Sequence, residues 1–156
     1  MSLDKLPPFV QRHVFNLFPC YRGTGGRIVE LDRAWRHVVV RLPLNLRTRN
    51  YVGSIFGGSM FGAVDPIYML MLIKNLGPDY VVWDKAAQIR FRRPAKKTLH
   101  AAFELTDGEL GAIRRELEEK DAVERTYTVE LKDPDGVVCA RVEKLIHVAR
   151  RAGGTS

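Results

Sequence analysis

The strongest pattern in the chain is an apolar segment spanning residues 55–73, which contains a single charged side chain, Asp65. The segment is long enough to resemble a membrane-spanning helix. However, glycines and a proline interrupt it, and the rest of the chain is patterned for the strands of a soluble fold. Since a helix that is apolar on every side also occurs at the centre of soluble proteins, we predict a buried helix that begins at residues 57–58 and ends at residues 77–78.

Alternating apolar and polar residues predict strands on both sides of this helix. An amphipathic segment with Pro7-Pro8 in its first turn predicts a short N-terminal helix that stops at Pro19. Thr106 and Glu109 form a capping box at the start of a third helix. The predicted strands cover residues 27–31, 35–42, 80–94, 99–105, 127–131 and 137–148, and a hairpin turn at 133–136 joins the last two.

These elements predict an α+β fold in which a curved antiparallel sheet of about six strands wraps around one long central helix. No linker or internal repeat divides the chain, so we expect a single domain over residues 1–156. Its N-terminal helix would occupy residues 1–20 and a flexible tail residues 150–156. A single wrapped sheet has an outer face and an edge that need cover, which favours a homodimer or a dimer of dimers.

Composition adds an excess of positive charge, because 25 basic and 18 acidic side chains leave a net charge of +7. Such a charge favours an anionic partner, such as a phosphorylated small molecule. A nucleic-acid partner is not expected, because no helix-turn-helix pattern and no surface of interleaved aromatic and basic residues is present.

The residues that bind metals or form disulfides are few and scattered. No close ligand spacing exists, so we expect no metal site. Two unpaired, buried thiols and the lack of a secretory signal predict a reducing, cytoplasmic location. The residues concerned are Cys20, Cys139, His13, His37, His100 and His147.

A spaced motif precedes and enters the central helix. It consists of Asn50, Gly53, Gly57, Gly58 and Asp65. In type and spacing it resembles the phenylacetyl-CoA branch of the hotdog-fold thioesterases, which carry Asn-x-x-Gly-x-x-His-Gly-Gly followed by a helical acid. In this chain Phe56 stands where most members of that branch have histidine.

A second group of thioesterase-like hotdog proteins, which lack characterisation, is more similar still. The shared features are the run Ile-Phe-Gly-Gly-Ser at residues 55–59, the pair Asp65-Pro66 and the run Trp83-Asp84-Lys85. The resemblance extends over about residues 20–150. It implies a hotdog fold, hydrolysis of an acyl-CoA thioester, and an active site shared between two subunits.

The chemistry of the motif is consistent with that activity. Backbone N–H groups at Gly57 and Gly58 lack intrahelical acceptors and lie at the positive end of the helix dipole, where they can stabilise an oxyanion. Asn50 would add a donor or hold the loop. A carboxyl buried among apolar residues has a raised pKa, so Asp65 is expected to act as a general base, with direct nucleophilic attack as the rival role.

The length of the helix separates these two functions. Gly57 and Asp65 are eight residues apart, which corresponds to about 12 Å at roughly 1.5 Å per residue. One carbonyl cannot contact both ends within one chain. If the two act together, Gly57 must therefore come from one subunit and Asp65 from its partner.

Further site residues are predicted around this centre. Asp84 aligns approximately where related thioesterases place a residue that positions water, and the alternative is a surface pair with Lys85. If Asp65 and Asp84 shared one pocket, the repulsion between their negative charges would raise the pKa of one of them. The resemblance also implies that basic residues on the outer face of the long strand and in the following turn hold CoA phosphates, and the alternative is a solvated face. Residues of the central helix are expected to line an acyl tunnel or simply the core. The first set is Arg90, Arg92, Arg93, Lys96 and Lys97, and the second includes Phe61, Tyr68 and Met69.

The sequence therefore predicts an acyl-CoA thioesterase-like hydrolase with no cofactor apart from the CoA of its substrate, acting on CoA or acyl-carrier thioesters. Two alternatives stay open: a non-catalytic protein that binds acyl-CoA or lipid, and a structural oligomer with a sealed core.

Overall fold

The computed structural model of the chain describes residues 5–152. Five helices and six strands make up this region. In chain order they are α1 (Pro8–Leu17), α2 (Pro19–Thr24), β1 (Arg27–Leu31), β2 (His37–Leu42), α3 (Gly57–Val64), α4 (Ile67–Leu76), β3 (Tyr80–Phe91), β4 (Leu99–Glu104), α5 (Asp107–Glu119), β5 (Ala122–Lys132) and β6 (Val138–Arg150). The ends of the predicted N-terminal helix and tail, residues 1–4 and 153–156, lie outside the described residues.

The six strands form one antiparallel sheet in the order β1-β2-β4-β5-β6-β3. The sheet curves around α3 and α4, and the core between them is formed by inward residues such as Val40, Phe103 and Val142 from the sheet and Ile67 and Met71 from the helix. The predicted hotdog fold is thus confirmed. Strand β3 forms one edge of the sheet, and eight of its twelve residues are exposed, so this edge is open in the single chain.

The central helix is interrupted, whereas the sequence predicted one continuous helix. α3 ends before Asp65, whose N–H still donates to the Phe61 carbonyl at 2.9 Å, and α4 begins after Pro66. Proline has no N–H to donate to the carbonyl one turn earlier, which accounts for the break. Both residues keep right-handed helical dihedral angles, so α4 continues from α3. Within the described residues, neither helix has the length and hydropathy needed to cross a membrane.

A β-bulge lies in the middle of β3. Asp84 pairs with Ile146 of β6 and Ala86 with Leu145, so Lys85 is the additional residue. An additional residue reverses which face the following side chains point to. Asp84 therefore points inward before the bulge, and Ile89 points inward after it.

The N-terminal segment contains one more helix than predicted. Pro19 ends α1 as expected, but it also occupies the first turn of α2, a position that proline favours. Cys20 on this helix is exposed, so the prediction of two buried thiols is wrong for Cys20, while Cys139 is buried. At the other end of the chain, Arg151 is held by hydrogen bonds to the carbonyls of Asp79 and Pro78, so the chain remains attached at residue 151.

Candidate active site

Three charged side chains meet on the inner face of the sheet beside the break in the central helix. The Lys144 ammonium donates to a carboxylate oxygen of Asp65 and lies 3.0 Å from Oδ2 of Asp84. Asp65 comes from the junction of α3 and α4, Asp84 from β3 and Lys144 from β6. The fold therefore brings together two carboxylates predicted from the sequence and one lysine that was not.

These three side chains differ strongly in exposure. The Lys144 side chain is 1% exposed, that of Asp84 23% and that of Asp65 43%. The lysine therefore lies beneath the two acids, and Asp65 is the most accessible member. The Lys144 ammonium also lies 5.4 Å from the centre of the Phe61 ring, which forms part of its apolar surroundings.

Asp84 is the unsatisfied member of the cluster. Its Oδ1 atom is buried and has no hydrogen-bond partner among residues 5–152. Burial raises the pKa of the Asp84 carboxyl above its ordinary value. The positive charge of Lys144 lowers this pKa, and the negative charge of Asp65 contributes a smaller increase. A buried oxygen without a partner is available to a water molecule or a substrate group.

The position of Lys144 corrects two predictions. Asp65 is not isolated among apolar groups, because the lysine forms an ion pair with it. Asp84 does not form a surface pair with Lys85, which instead pairs with Glu124. Lys144 had a detectable signal, since it shares its strand face with Val142 and Ile146, and a lysine at an alternating core position is unusual.

The N-terminus of α3 forms a second part of the candidate site. No described side chain caps this helix, and its first hydrogen bond runs from the Met60 N–H to the Phe56 carbonyl. The N–H groups of Gly57 and Gly58 therefore have no acceptor within the helix. A Cβ atom at Gly57 would lie 2.7 Å from the Phe91 ring, and one at Gly58 would lie 2.4 Å from the Phe56 ring, so glycine lets these two exposed rings lie against the start of the helix.

A cavity of about 390 Å³ opens in front of this helix terminus. Gly57, Asn50, Arg92 and Arg93 all line it, so the predicted oxyanion site and two of the predicted phosphate-binding residues face one space. The other three predicted basic residues, Arg90, Lys96 and Lys97, are exposed outside this lining, and Lys97 pairs with Asp135.

Asn50 stabilises the loop in front of α3. Its side-chain oxygen accepts hydrogen bonds from the N–H groups of Val52 and Ser54 at 3.1 and 3.0 Å, and its amide donates to the Ser54 hydroxyl at 3.0 Å. Of the two roles predicted for Asn50, the geometry supports that of holding the loop.

The two parts of the site do not meet within one chain. The cavity at Gly57 has neither Asp65 nor Asp84 in its lining, and Lys144 is also absent from it. This separation agrees with the distance argued from the helix length.

The predicted acyl-tunnel residues fall into two groups. Tyr68 is buried, stacked on Tyr127 with ring centres 4.6 Å apart, and packed edge-on against Phe103, so it belongs to the core. Phe61 and Met69 are only partly buried. Together with Asp65 they are spaced four residues apart and share one accessible face of the helix.

Metal-binding side chains do not converge anywhere in residues 5–152. No three His, Cys, Asp or Glu side chains in that range are placed to hold a metal ion.

Comparison with known proteins places the chain in a family. The family DUF4442, described as a domain of unknown function, matches residues 8–148. The chain belongs to this family. None of the curated proteins matches the sequence significantly.

Solved structures share the hotdog fold of this DUF4442 chain. A Pseudomonas aeruginosa protein of unknown function, described as a probable thioesterase, superposes with a TM-score of 0.82 at 23% identity, over 94% of this chain and 97% of that one. A Chlorobaculum tepidum protein of unknown function gives 0.72 at 13% identity, over 90% and 92%. A thioesterase from Haemophilus influenzae gives 0.70 at 12% identity, over 100% of both chains. At these identities the similarity establishes the fold of the DUF4442 chain.

Proposed function

We propose that this DUF4442 protein is a thioester hydrolase that acts on acyl-CoA or acyl-carrier thioesters. The observation that carries the proposal is the cluster at the break in the central helix, where Asp65 is accessible, held by the buried Lys144, and adjacent to an unpaired oxygen of Asp84. The thioesterases among proteins of the same fold support this choice of reaction.

In the proposed reaction, Asp65 accepts a proton from water as the water oxygen adds to the thioester carbonyl. The N–H groups at Gly57 and Gly58 of the partner subunit stabilise the resulting oxyanion. The C–S bond then breaks, the thiol leaves with a proton, and the carboxylic acid is released. Asp84 orients the water through its unpaired oxygen, and Lys144 is a positioning residue that holds both carboxylates.

Direct attack by Asp65 is the rival mechanism. The carboxylate would displace the thiol and form a mixed anhydride, which water would then hydrolyse. Hydrolysis in ¹⁸O-labelled water under single-turnover conditions separates the two, because only the anhydride route can place the label in the Asp65 carboxylate.

The proposed dimer brings the two parts together. Phe61, Asp65 and Met69 form a partly exposed face of the central helix, and β3 is an open sheet edge in the single chain. Covering both with a second copy would place the Gly57 cavity of one chain against the Asp65 cluster of the other. Arg92 and Arg93 would then lie beside the same opening and favour the phosphates of CoA. We place this protein in the cytoplasm, where acyl-CoA thioesters are available.

The test is a thiol-release screen over acyl-CoAs of different chain length with wild type, Asp65→Asn, and Asp121→Asn as an exposed control with the same chemical change. We expect the Asp65 variant to lose at least about a hundredfold in turnover while it retains the thermal shift caused by acyl-CoA. Wild-type turnover in the Asp65 variant would contradict the assigned role.

A non-catalytic acyl-CoA or lipid-binding protein is the alternative function. The observation that favours it is Phe56, whose ring is 58% exposed next to Gly58 at the position of the usual histidine. This alternative predicts a thermal shift with acyl-CoA and no thiol release from the wild type.

A further inference from the structure

A second cavity, of about 520 Å³, lies where α1 and α2 meet the ends of β1 and β2. Four arginines line it: Arg22, Arg27, Arg41 and Arg47. His13 lies beside them, and no described carboxylate is part of the lining. The cavity therefore concentrates positive charge that nothing in its own walls neutralises.

None of the four guanidinium groups forms an ion pair or a side-chain hydrogen bond with another residue in the range 5–152. Three other arginines do form ion pairs. Arg36 pairs with Asp107, Arg125 with Glu109 and Arg141 with Glu130. Within the part of the chain that the structure describes, the donors of the cavity arginines are thus available to a ligand.

Two of the four arginines lie directly opposite each other in the sheet. Arg27 at the start of β1 pairs in register with Arg41 near the end of β2, so their side chains project from the same face. Like charges in such a cross-strand pair destabilise a sheet. An anion bound between them would remove that repulsion.

The other two arginines, Arg22 and Arg47, are held near this pair because the backbone at Gly25 packs closely against the Thr48 side chain. Gly25 follows α2 with φ of 85°, and a Cβ atom there would lie 2.3 Å from Thr48 Cγ2. The loop that carries Arg47 is itself fixed, because the Asn45 side chain accepts hydrogen bonds from the N–H groups of Arg47 and Thr48. Arg22 and Arg47 are therefore brought to the cavity by fixed backbone.

We propose that this arginine cavity binds a compact phosphate-bearing ligand with two or more negative charges. Guanidinium groups bind phosphate oxygens through pairs of parallel hydrogen bonds, and four of them suit a diphosphate better than a single carboxylate. The volume is in the range of small-molecule sites. The cavity shares no lining residue with the one at Gly57, so this proposal does not depend on the proposed hydrolase function.

The phosphate can come from a soluble molecule or from a lipid headgroup. The second source deserves a separate measurement because large apolar side chains are exposed close to the cavity. Leu17 is 65% exposed and lines the cavity, Phe18 follows it at 52%, and Leu46 precedes Arg47 at 87%.

The first experiment titrates inorganic pyrophosphate into the full chain and measures heat of binding and melting temperature. The test variant is Arg27→Gln with Arg41→Gln. The control variant, Arg33→Gln with Arg115→Gln, removes the same charge from exposed positions on the β1–β2 turn and on α5. We expect the test variant to bind about tenfold or more weakly and the control to match wild type at constant ionic strength.

The melting temperature without ligand shows whether the test variant is folded. Removing the opposed charges should leave it equal to that of wild type or raise it, while only wild type and the control should be stabilised by pyrophosphate.

The second experiment measures sedimentation with vesicles that contain phosphatidic acid, whose phosphomonoester can carry two negative charges, and, separately, with vesicles of phosphatidylcholine alone. Pyrophosphate binding that the test variant loses supports a soluble ligand. Binding only to the phosphatidic acid vesicles, lost in the same variant, supports a headgroup. If the test and control variants behave alike in both experiments, the proposal is overturned.

Discussion

Lys144 and Asp84 lie 3.0 Å apart, nitrogen to oxygen, and the lysine is among the most deeply buried side chains of the chain. A buried cation of this kind is stable only while its carboxylates remain in place. The lysine and the two acids should therefore behave as one unit in both stability and activity.

Lys144→Met tests this unit. The change removes the cation and leaves Asp84 without its ion-pair partner, so we expect a loss of about 2–4 kcal/mol in the free energy of unfolding. This loss is smaller than that for a fully buried ion pair, because the Asp65 side chain is 43% exposed and solvent screens its charge. Urea denaturation measures it. Lys85→Met, on the same sheet and paired with the exposed Glu124, should change stability by less than about 1 kcal/mol.

The double variant Lys144→Met with Asp84→Asn completes a double-mutant cycle with the two single variants. If Lys144 and Asp84 are coupled, the double variant should lose less unfolding free energy than the sum of the losses of the two single variants. Strict additivity would show that Lys144 and Asp84 contribute independently.

Gly57→Ala separates packing from catalysis. The new Cβ atom would approach the Phe91 ring, which is 57% exposed and can turn outward, and alanine favours the helix, so we expect a stability change within about 1 kcal/mol. Thiol release should fall at least about tenfold, because the methyl group occupies the cavity in front of the N–H donors. Gly108→Ala near the start of α5, where only Thr106 Oγ1 comes within 3.9 Å, is the matched control. Unchanged turnover in Gly57→Ala would place the oxyanion site elsewhere.

Mixed dimers test whether the site is shared. Asp65→Asn and Gly57→Ala chains are each expected to be nearly inactive. After unfolding and refolding together at equal concentration, half of the dimers would be mixed and carry one intact site of two. Activity should therefore return to about a quarter of the wild-type value if each site uses two chains. No recovery, with mixed dimers demonstrated by mass spectrometry, would place each complete site within one chain.

His37 predicts a pH-dependent contribution to stability. Hydrogen bonds to Glu104 and Glu30 raise its pKa above the ordinary value of 6.5. A raised pKa means that the folded state binds the proton more tightly, so the stabilisation is complete below about pH 6.5 and is lost as the pH rises through the folded-state pKa. His37→Gln should therefore lower the melting temperature at pH 6 and have little effect at pH 9. His100→Gln, which makes the same change at an exposed position on β4, is the control.

Much of the fold was predictable because its signals are local. The apolar central helix, the alternation in the strands, the cap at Thr106 and the turn at 133–136 each depend on neighbouring residues. α2 was missed because Pro19 was interpreted only as a stop, whereas proline also begins helices.

The site was only partly predictable because it depends on contacts between distant residues. Asp65 and Asp84 were identified by type and motif, but the ion pair between Asp65 and Lys144 joins residues that are 79 positions apart. The second contact, between Asp84 and Lys144, depends on the register of β3 against β6. That register includes a bulge that no local sequence pattern predicts.

That bulge has a consequence for how the gene can change. Asp84 and Ile89 are an odd number of residues apart, yet both point inward because Lys85 is additional. Deletion of the Lys85 codon would leave the reading frame intact and remove only an exposed residue. The remaining residues would then alternate regularly, because Asp84 and Ile89 would be four positions apart and both would still point inward. Strand β3 can therefore lose a residue at this one position without turning Asp84 to the other face, whereas a deletion between residues 86 and 89 would reverse one of the two side chains.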